Sequence, residues 1–358
     1  MARASMPGGE MVRLILSRVR VILVAAITGD DMANQTPLNA TFFAFRKRER
    51  GGVLLAATLT YAIIVCAVFG LFAYLNWQAV VDYFTWSMTM GQAAEKADPN
   101  DPSAVLGAMM PPASVMSLMP AYFLFMFVSY LLLAMYEAAC LRWMIRGETK
   151  GFFGLALDAD TLRVYFTYWI WFFLLIALYF VVAIVFVGVG VGIGMSAAAG
   201  DAASAVGPGL LIMCLLVLAV ILALIYFGVR FAPAAATSIA KRRFAFFDAW
   251  TVTKGRFWAL FGAYLLLFLM YFVGIIILSV AAGVFMGVGM VGQMQTTTEP
   301  QTPEQALALF ASPSVWIPMA ICYGLMLVGA FVFYVALFGV NARAAQAALE
   351  EGKITPAA

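Results

Sequence analysis

Six uninterrupted apolar stretches divide the chain, at Gly52–Trp77, Ser114–Leu141, Val164–Met195, Pro208–Val229, Phe257–Gly292 and Ser314–Val340. Each is long enough for a helix to cross a hydrocarbon layer about 30 Å thick, which takes about 20 residues. Within them the only formally charged residue is Glu137, close to the end of the second. The pattern predicts an all-α fold, a polytopic transmembrane helical bundle of six spans. The third and fifth stretches are the longest, so they either tilt and project beyond the bilayer or finish as irregular glycine-rich segments outside it.

The polar residues between these stretches are sorted by sign. Twenty of the 21 Lys and Arg residues fall before the first span, between the second and third, between the fourth and fifth, or after the sixth. The opposite loops hold only Lys96, against Asp82, Glu95, Asp98, Asp101, Asp201, Glu299 and Glu304. Cytoplasmic loops retain basic residues, so the asymmetry places both termini in the cytoplasm of a bacterial inner membrane. Trp77 and Trp316 fall at outer boundaries, and Trp143, Trp169, Trp171 and Trp258 at inner ones, where an amphipathic ring prefers the headgroup level. The outer Trp77–Met88 stretch spaces its apolar residues at helical intervals and is expected to lie on the membrane surface.

Composition agrees. The chain is 65% hydrophobic and 11% charged, where soluble domains carry about 25% charged residues. With no histidine at all, the commonest general base and metal ligand is missing, and no triad, zinc or haem site is expected. Cys66, Cys140, Cys214 and Cys322 are scattered singly and read as small buried hydrophobes rather than a metal or redox site. No cofactor, metal or enzymatic activity is expected.

Each pair of spans is preceded by an aromatic segment that runs into basic residues: Phe42-Phe43-Ala44-Phe45-Arg46-Lys47, Phe152-Phe153-Gly154-Leu155 leading to Arg163, and Phe244-Ala245-Phe246-Phe247 leading to Lys254 and Arg256. The exits match too, with Phe227-Gly228-Val229-Arg230 resembling Phe338-Gly339-Val340-Asn341, and Met135-Tyr136-Glu137-Ala138-Ala139 fitting more loosely. Three parallel hairpin repeats follow, at about 38–150, 151–243 and 244–346, each opened by an interfacial cytoplasmic helix. They make one membrane domain, 38–346, between a basic N-terminal segment, 1–37, and a short tail, 347–358. The start of the chain has the outline of a secretion signal, but cleavage there would export Arg46, Lys47, Arg48 and Arg50. It is either a basic amphipathic segment on anionic lipid or sequence ahead of a true start at Met32.

Several residues are candidates for function. Glu137, Arg230 and Asn341 occupy matching positions near the inner ends of the returning spans and would meet as a polar cluster around a pseudo-threefold axis; otherwise they sit separately in the headgroup layer. Lys241, Arg242, Arg243, Lys254 and Arg256 form a basic stripe suited to anionic lipid headgroups, or serving only to set topology. Asp158 and Asp160 are placed to cap a helix start or bind a cation, capping being the better fit. Gly188/Gly192, Gly190/Gly194 and Gly283/Gly287 have the four-residue spacing that lets helix backbones approach closely in lipid.

The segment Ala249-Trp250-Thr251-Val252-Thr253-Lys254-Gly255-Arg256-Phe257-Trp258 resembles the A-W-x-x-T-x-G-x-F-W signature of bacterial six-helix inner-membrane proteins. Those include the membrane domain found ahead of some glycerophosphodiester phosphodiesterases. The resemblance implies alternating interfacial and spanning helices over about residues 38–346. Only 18 residues follow Val340, so the enzymatic label is not expected to carry over. Two functions stay open: a non-enzymatic scaffold that organises lipids, a partner membrane protein or a second copy of itself, and a small-molecule or lipid transporter, which would need polar groups deep in its spans. Nucleic-acid binding is not expected.

Overall fold

The computed structural model describes residues 40–46, 52–96, 110–198, 202–294 and 313–356. The basic N-terminal segment, 1–37, lies outside them. The described residues are helical throughout and form no strand, apart from one isolated bridge between Phe152 and Leu155. After a 3-10 turn at Phe43–Phe45 the order is α1 (Val53–Leu75), α2 (Trp77–Lys96), α3 (Ala113–Met116), α4 (Met119–Arg146), α5 (Ala159–Ala198), α6 (Ala202–Phe231), α7 (Ala234–Ala240), α8 (Ala249–Thr253), α9 (Phe257–Met294) and α10 (Pro313–Glu350).

Six helices, α1, α4, α5, α6, α9 and α10, are long and apolar enough to cross a membrane. They match the six stretches of the sequence, but most run further. α5 has 40 residues and α9 and α10 have 38 each. At 1.5 Å per residue these reach about 57–60 Å, well beyond the hydrocarbon layer. Gly188–Gly194 and Gly283–Gly292 stay helical to Ala198 and Met294, so the irregular ends considered for them do not form. α2 continues α1 closely: the Asn76 N–H donates to Phe72 O at 3.1 Å, and the Val80 N–H to Asn76 O at 3.0 Å.

Ahead of the first span pair Ala40 and Thr41 are helical and run into a 3-10 turn at Phe43–Phe45, the residues before Ala40 and 47–51 lying outside those described. Ahead of the other two pairs the expected interfacial helices shrink to turns. The second is a tight loop in which the Phe152 and Leu155 backbones exchange two hydrogen bonds of 3.0 Å. Only the third leads into a helix, the short α8. At the second and third the physical reason is backbone geometry. Gly147, Gly151, Gly154 and Gly255 all have positive φ, a conformation that ends a helix. At Gly151 the requirement is absolute, since an added Cβ would lie 2.0 Å from Leu155 O.

The chain divides into two compact units, one from Met1–Leu54, Ala134–Leu267 and Val335–Ala358, the other from Leu55–Leu133 and Phe268–Tyr334. They are called the basic unit and the apolar unit. In the basic unit α5 packs along α6, α7 lies on α5, and α8 lies on α6. Its core is unusual for its small side chains. Ala134, Ala138, Ala139, Ala234, Ala235, Ala236, Ala342, Ala344, Ala345, Ala347 and Ala348 are all buried, and so is every residue of α7. Alanine at these positions lets backbones approach closely, so dispersion contacts and backbone-directed hydrogen bonds can hold the segments together.

The apolar unit buries far less. Among the described residues only Ala57 and Cys322 are buried there. It is held by ring contacts, Phe72 on Phe125 at 4.6 Å, Tyr271 on Phe333 at 4.5 Å and Tyr61 on Phe331 at 6.0 Å. Two expectations need correction. Cys66 and Cys214 are exposed, only Cys140 and Cys322 being buried, because the first two sit on helix faces that no other helix covers. Trp143 is buried in the core, not free to anchor at a headgroup layer.

Candidate functional site: the polar framework of the basic unit

Every buried polar or charged residue among those described belongs to the basic unit: Thr41, Glu137, Arg142, Asp160, Thr161, Thr167, Thr237, Ser238, Lys241, Thr253 and Asn341. The framework starts where α4 ends. Arg142 is the largest fully buried side chain, and it donates to Asp158 Oδ2 at 2.5 Å and to Gly154 O at 3.2 Å. The other oxygen of Asp158 accepts the Thr161 N–H at 3.1 Å. One carboxylate thus caps α5 and neutralises a buried guanidinium. Burial pushes the Asp158 carboxyl up, but the Thr161 N–H, Arg142 and Lys150 together pull it below the usual carboxylate range. Asp160, in the first turn of α5, is clasped by Arg146 and Arg163. The capping role expected of Asp158 is present, and both aspartates are also ion-pair partners.

Side chains also cap the ends of helices from distant parts of the chain. Gln346 of α10 donates to Met144 O at 2.8 Å, at the end of α4. Arg146 of α4 donates to Ile239 O at 3.3 Å, near the end of α7. Both bond carbonyls in the last turn of a helix, where partners within the helix run out; Ile239 O also accepts the Arg242 N–H at 3.2 Å. In α7 the hydroxyls work locally: Thr237 donates to Pro233 O at 2.8 Å, and Ser238 donates to Ala234 O at 2.9 Å while accepting the Ala245 N–H.

The proposed cluster of Glu137, Arg230 and Asn341 does not form by direct contact. Among the described residues no hydrogen bond or ion pair joins the three, because each finds a nearer partner on a neighbouring element. Glu137, fully enclosed on α4, accepts a hydrogen bond from the Tyr168 hydroxyl of α5. Asn341 accepts one from the Tyr264 hydroxyl of α9 at 2.7 Å. Arg230, in the last turn of α6, sits among rings, 4.9 Å from the Trp250 centroid, 5.4 Å from Tyr226 and 5.5 Å from Phe257. Its Nη1 reaches Thr253 Oγ1 at 3.4 Å. A guanidinium over aromatic faces is held by the ring quadrupoles and needs no carboxylate there.

That box explains the spacing of the A-W-x-x-T-x-G-x-F-W segment. Trp250, Thr253 and Phe257 are the segment's three residues that touch Arg230, with Tyr226 of α6 the fourth around it. Ala249 is fully buried against Phe246, and Gly255, at φ +82°, makes the turn from α8 into α9. Trp258 is 77% exposed and takes no part.

Four of the five residues in the expected lipid-binding stripe already have carboxylate partners. Lys241 is buried and bonded to Asp248 at 2.5 Å; Arg243 reaches the same carboxylate at 3.6 Å; Arg242 meets Glu148 at 3.1 Å; Arg256 pairs with Glu351. Lys254 is exposed and has no acidic partner among the described residues. Of the glycine pairs read as contact sites, a Cβ added at Gly188, Gly190, Gly192 or Gly283 would meet no heavy atom of another segment within 4 Å among the described residues. The surroundings of Gly194 and Gly287 lie outside what is described. The close approach the sequence did not single out is at Gly339, where a Cβ would lie 2.7 Å from Ala44 Cβ and 2.8 Å from Ala44 N.

Six apolar helices of spanning length define the class: a multi-pass α-helical integral membrane protein. Comparison with protein-family profiles, with curated proteins and with solved structures finds no match.

Proposed function

We propose that the chain is a non-enzymatic scaffold of a bacterial inner membrane, with both termini in the cytoplasm, working through its surfaces on lipids or a partner membrane protein. The observation that carries this reading is the confinement of buried polar groups to the basic unit. A solute path would need polar groups along the spans, whereas the buried residues described in the apolar unit are Ala57 and Cys322, and those described on α5 beyond Thr167 and on α6 are Gly209 and Val229. The orientation rests on the sorting of Lys and Arg residues. A threefold parallel repeat is in keeping with the three alanine-rich buried segments, around Ala138, Ala235 and Ala345, that follow the returning spans. Glu137 is the foothold for the transporter alternative, as a buried carboxyl whose partner is a tyrosine.

Reporter fusions after Arg243 and after Glu304 should land in opposite compartments, the first cytoplasmic. Purification in native lipid with mass spectrometry should recover bound lipid or a stoichiometric protein partner. Proton- or sodium-coupled solute flux in proteoliposomes, abolished by Glu137→Gln, would overturn the scaffold in favour of transport.

A further inference from the structure

Three arginines from separate parts of the basic unit are drawn together. Arg46 follows the 3-10 turn, Arg256 sits in the turn into α9, and Arg343 lies on the last part of α10. Local packing brings the first to the others: Ala44 presses on Gly339 of α10, and Thr41 Oγ1 donates to Ala263 O of α9 at 3.4 Å. Burial and then the charge of Arg343 hold both Arg46 and Arg256 below the usual arginine range.

Carboxylates do not balance this concentration of charge. Glu350 receives Arg343 at 3.1 Å through both its oxygens, and Glu351 receives Arg256 and, at 2.9 Å, Lys353. Lys254 is exposed nearby, its carbonyl accepting from Lys353 Nζ at 3.3 Å. Five cations thus share two acids, and Arg46 has no carboxylate at all among the described residues. The Arg256 side chain is only 10% exposed, yet among the described residues its Nη1 has no acceptor; nor has the buried Nε of Arg46. A buried charged donor with no acceptor is costly. The Arg46 guanidinium also lies 5.6 Å from the Phe43 ring centroid, and an anion with several acceptor oxygens would supply the acceptors that the ring and the two acids do not.

We propose that Arg46, Arg256 and Arg343 form a binding site for a phosphate-bearing anion. A planar guanidinium presents paired N–H groups that match two phosphate oxygens, which a carboxylate-poor arginine cluster favours over a lone lysine surface. Phe45, 51% exposed, and Trp258, 77% exposed, lie beside Arg46 and Arg256 in sequence. Apolar rings flanking the cations suit a phosphate that carries acyl chains. The phosphate of an anionic lipid and a soluble phosphate share the chemistry, and the test separates them. The site deepens the scaffold reading by naming a ligand class, yet it can fail while that reading stands, because the scaffold is tested by topology, partners and flux.

The full chain, in neutral detergent at fixed ionic strength, is followed by thermal unfolding with added phosphatidylglycerol, phosphatidylcholine or inorganic phosphate. Phosphatidylglycerol should raise the midpoint and phosphatidylcholine should not. Arg46→Gln and Arg343→Gln should each weaken that response about tenfold, whereas Lys150→Gln, an equal loss of charge elsewhere, should leave it unchanged. Stabilisation by inorganic phosphate alone, lost in the same two variants, assigns the site to a soluble phosphate. Arg46→Lys and Arg343→Lys keep the charge and lose the fork, covering the case where the glutamines fold poorly; they too should weaken the response. No response of the unaltered chain to either phosphate source, or an equal loss in Lys150→Gln, overturns the site.

Discussion

The basic and apolar units solve different problems with the same type of helix. In the basic unit, buried charges and hydroxyls are tied to specific partners, such as Arg142 with Asp158 and Gln346 with the end of α4. Each such contact has one satisfactory geometry, so this unit specifies its own packing. In the apolar unit, Ile63, Phe69, Tyr74, Ile277, Val280 and Val328 are all at least 60% exposed. Lipid tails are as apolar as these side chains, so no hydrophobic force drives the helices together there, and ring contacts suffice. Conformational specificity is therefore concentrated in the buried polar framework of the basic unit, and the exposed apolar faces of both units, Ile184 and Val187 of α5 among them, are adapted to their solvent.

The comparison can be broken most severely at Asp158. Asp158→Ala would leave the fully buried Arg142 without its counter-ion, and loss of one partner of a buried pair costs about 3–5 kcal/mol. Thermal or denaturant unfolding in detergent should show a loss of this size, and a change under about 1 kcal/mol would mean that the pair is not structural. The pH dependence follows in sign. The folded Asp158 carboxyl sits below its ordinary value, so its stabilisation is fully present above about pH 4 and is lost as pH falls through the folded value. The gap between the unaltered chain and Asp158→Ala should therefore close in acid.

A matched pair of substitutions sharpens the contrast. Gly339→Ala in the basic unit forces a methyl group into Ala44 and should cost about 1–3 kcal/mol. Gly329→Ala in the apolar unit meets nothing within 4 Å and should be neutral or stabilising by up to about 1 kcal/mol, through the better helix propensity of alanine. Equal effects of the two changes on unfolding would erase the distinction between the units. The smallest effect is expected at Ile63, which is 70% exposed: Ile63→Ala should alter stability by no more than about 0.5 kcal/mol.

The six spans were legible because a run of apolar residues needs no partner to be recognised. Helix ends were less so, because α10 continues past Val340 through Asn341-Ala342-Arg343-Ala344, where packing within the basic unit replaces lipid as the reason to stay helical. The arginines between spans read as topology signals, and nothing in their spacing distinguished the fully buried Arg142 from the half-exposed Lys150. Matching positions suggested that Glu137, Arg230 and Asn341 meet, but register along a helix cannot reveal that Tyr168, Tyr264 and the Trp250 ring reach them first. The A-W-x-x-T-x-G-x-F-W segment was visible as a pattern, and its purpose of holding Arg230 required the end of α6, some 20 residues upstream of Trp250. Glycine spacing misdirected in the same way: Gly339 makes the close contact, while Gly188 and Gly283 are open among the described residues.

The division of labour between the units is tested most directly by spin labels on single cysteines, with the chain in lipid nanodiscs and collisions measured against oxygen and a water-soluble nickel chelate. Labels at Ile63, Ile277 and Val328 should collide preferentially with oxygen, which concentrates in lipid, and labels at Glu148, Arg243 and Glu350 with the chelate. Chelate access at Ile63, Ile277 and Val328 equal to that at Glu148 would contradict the account, since the apolar unit would then be facing water.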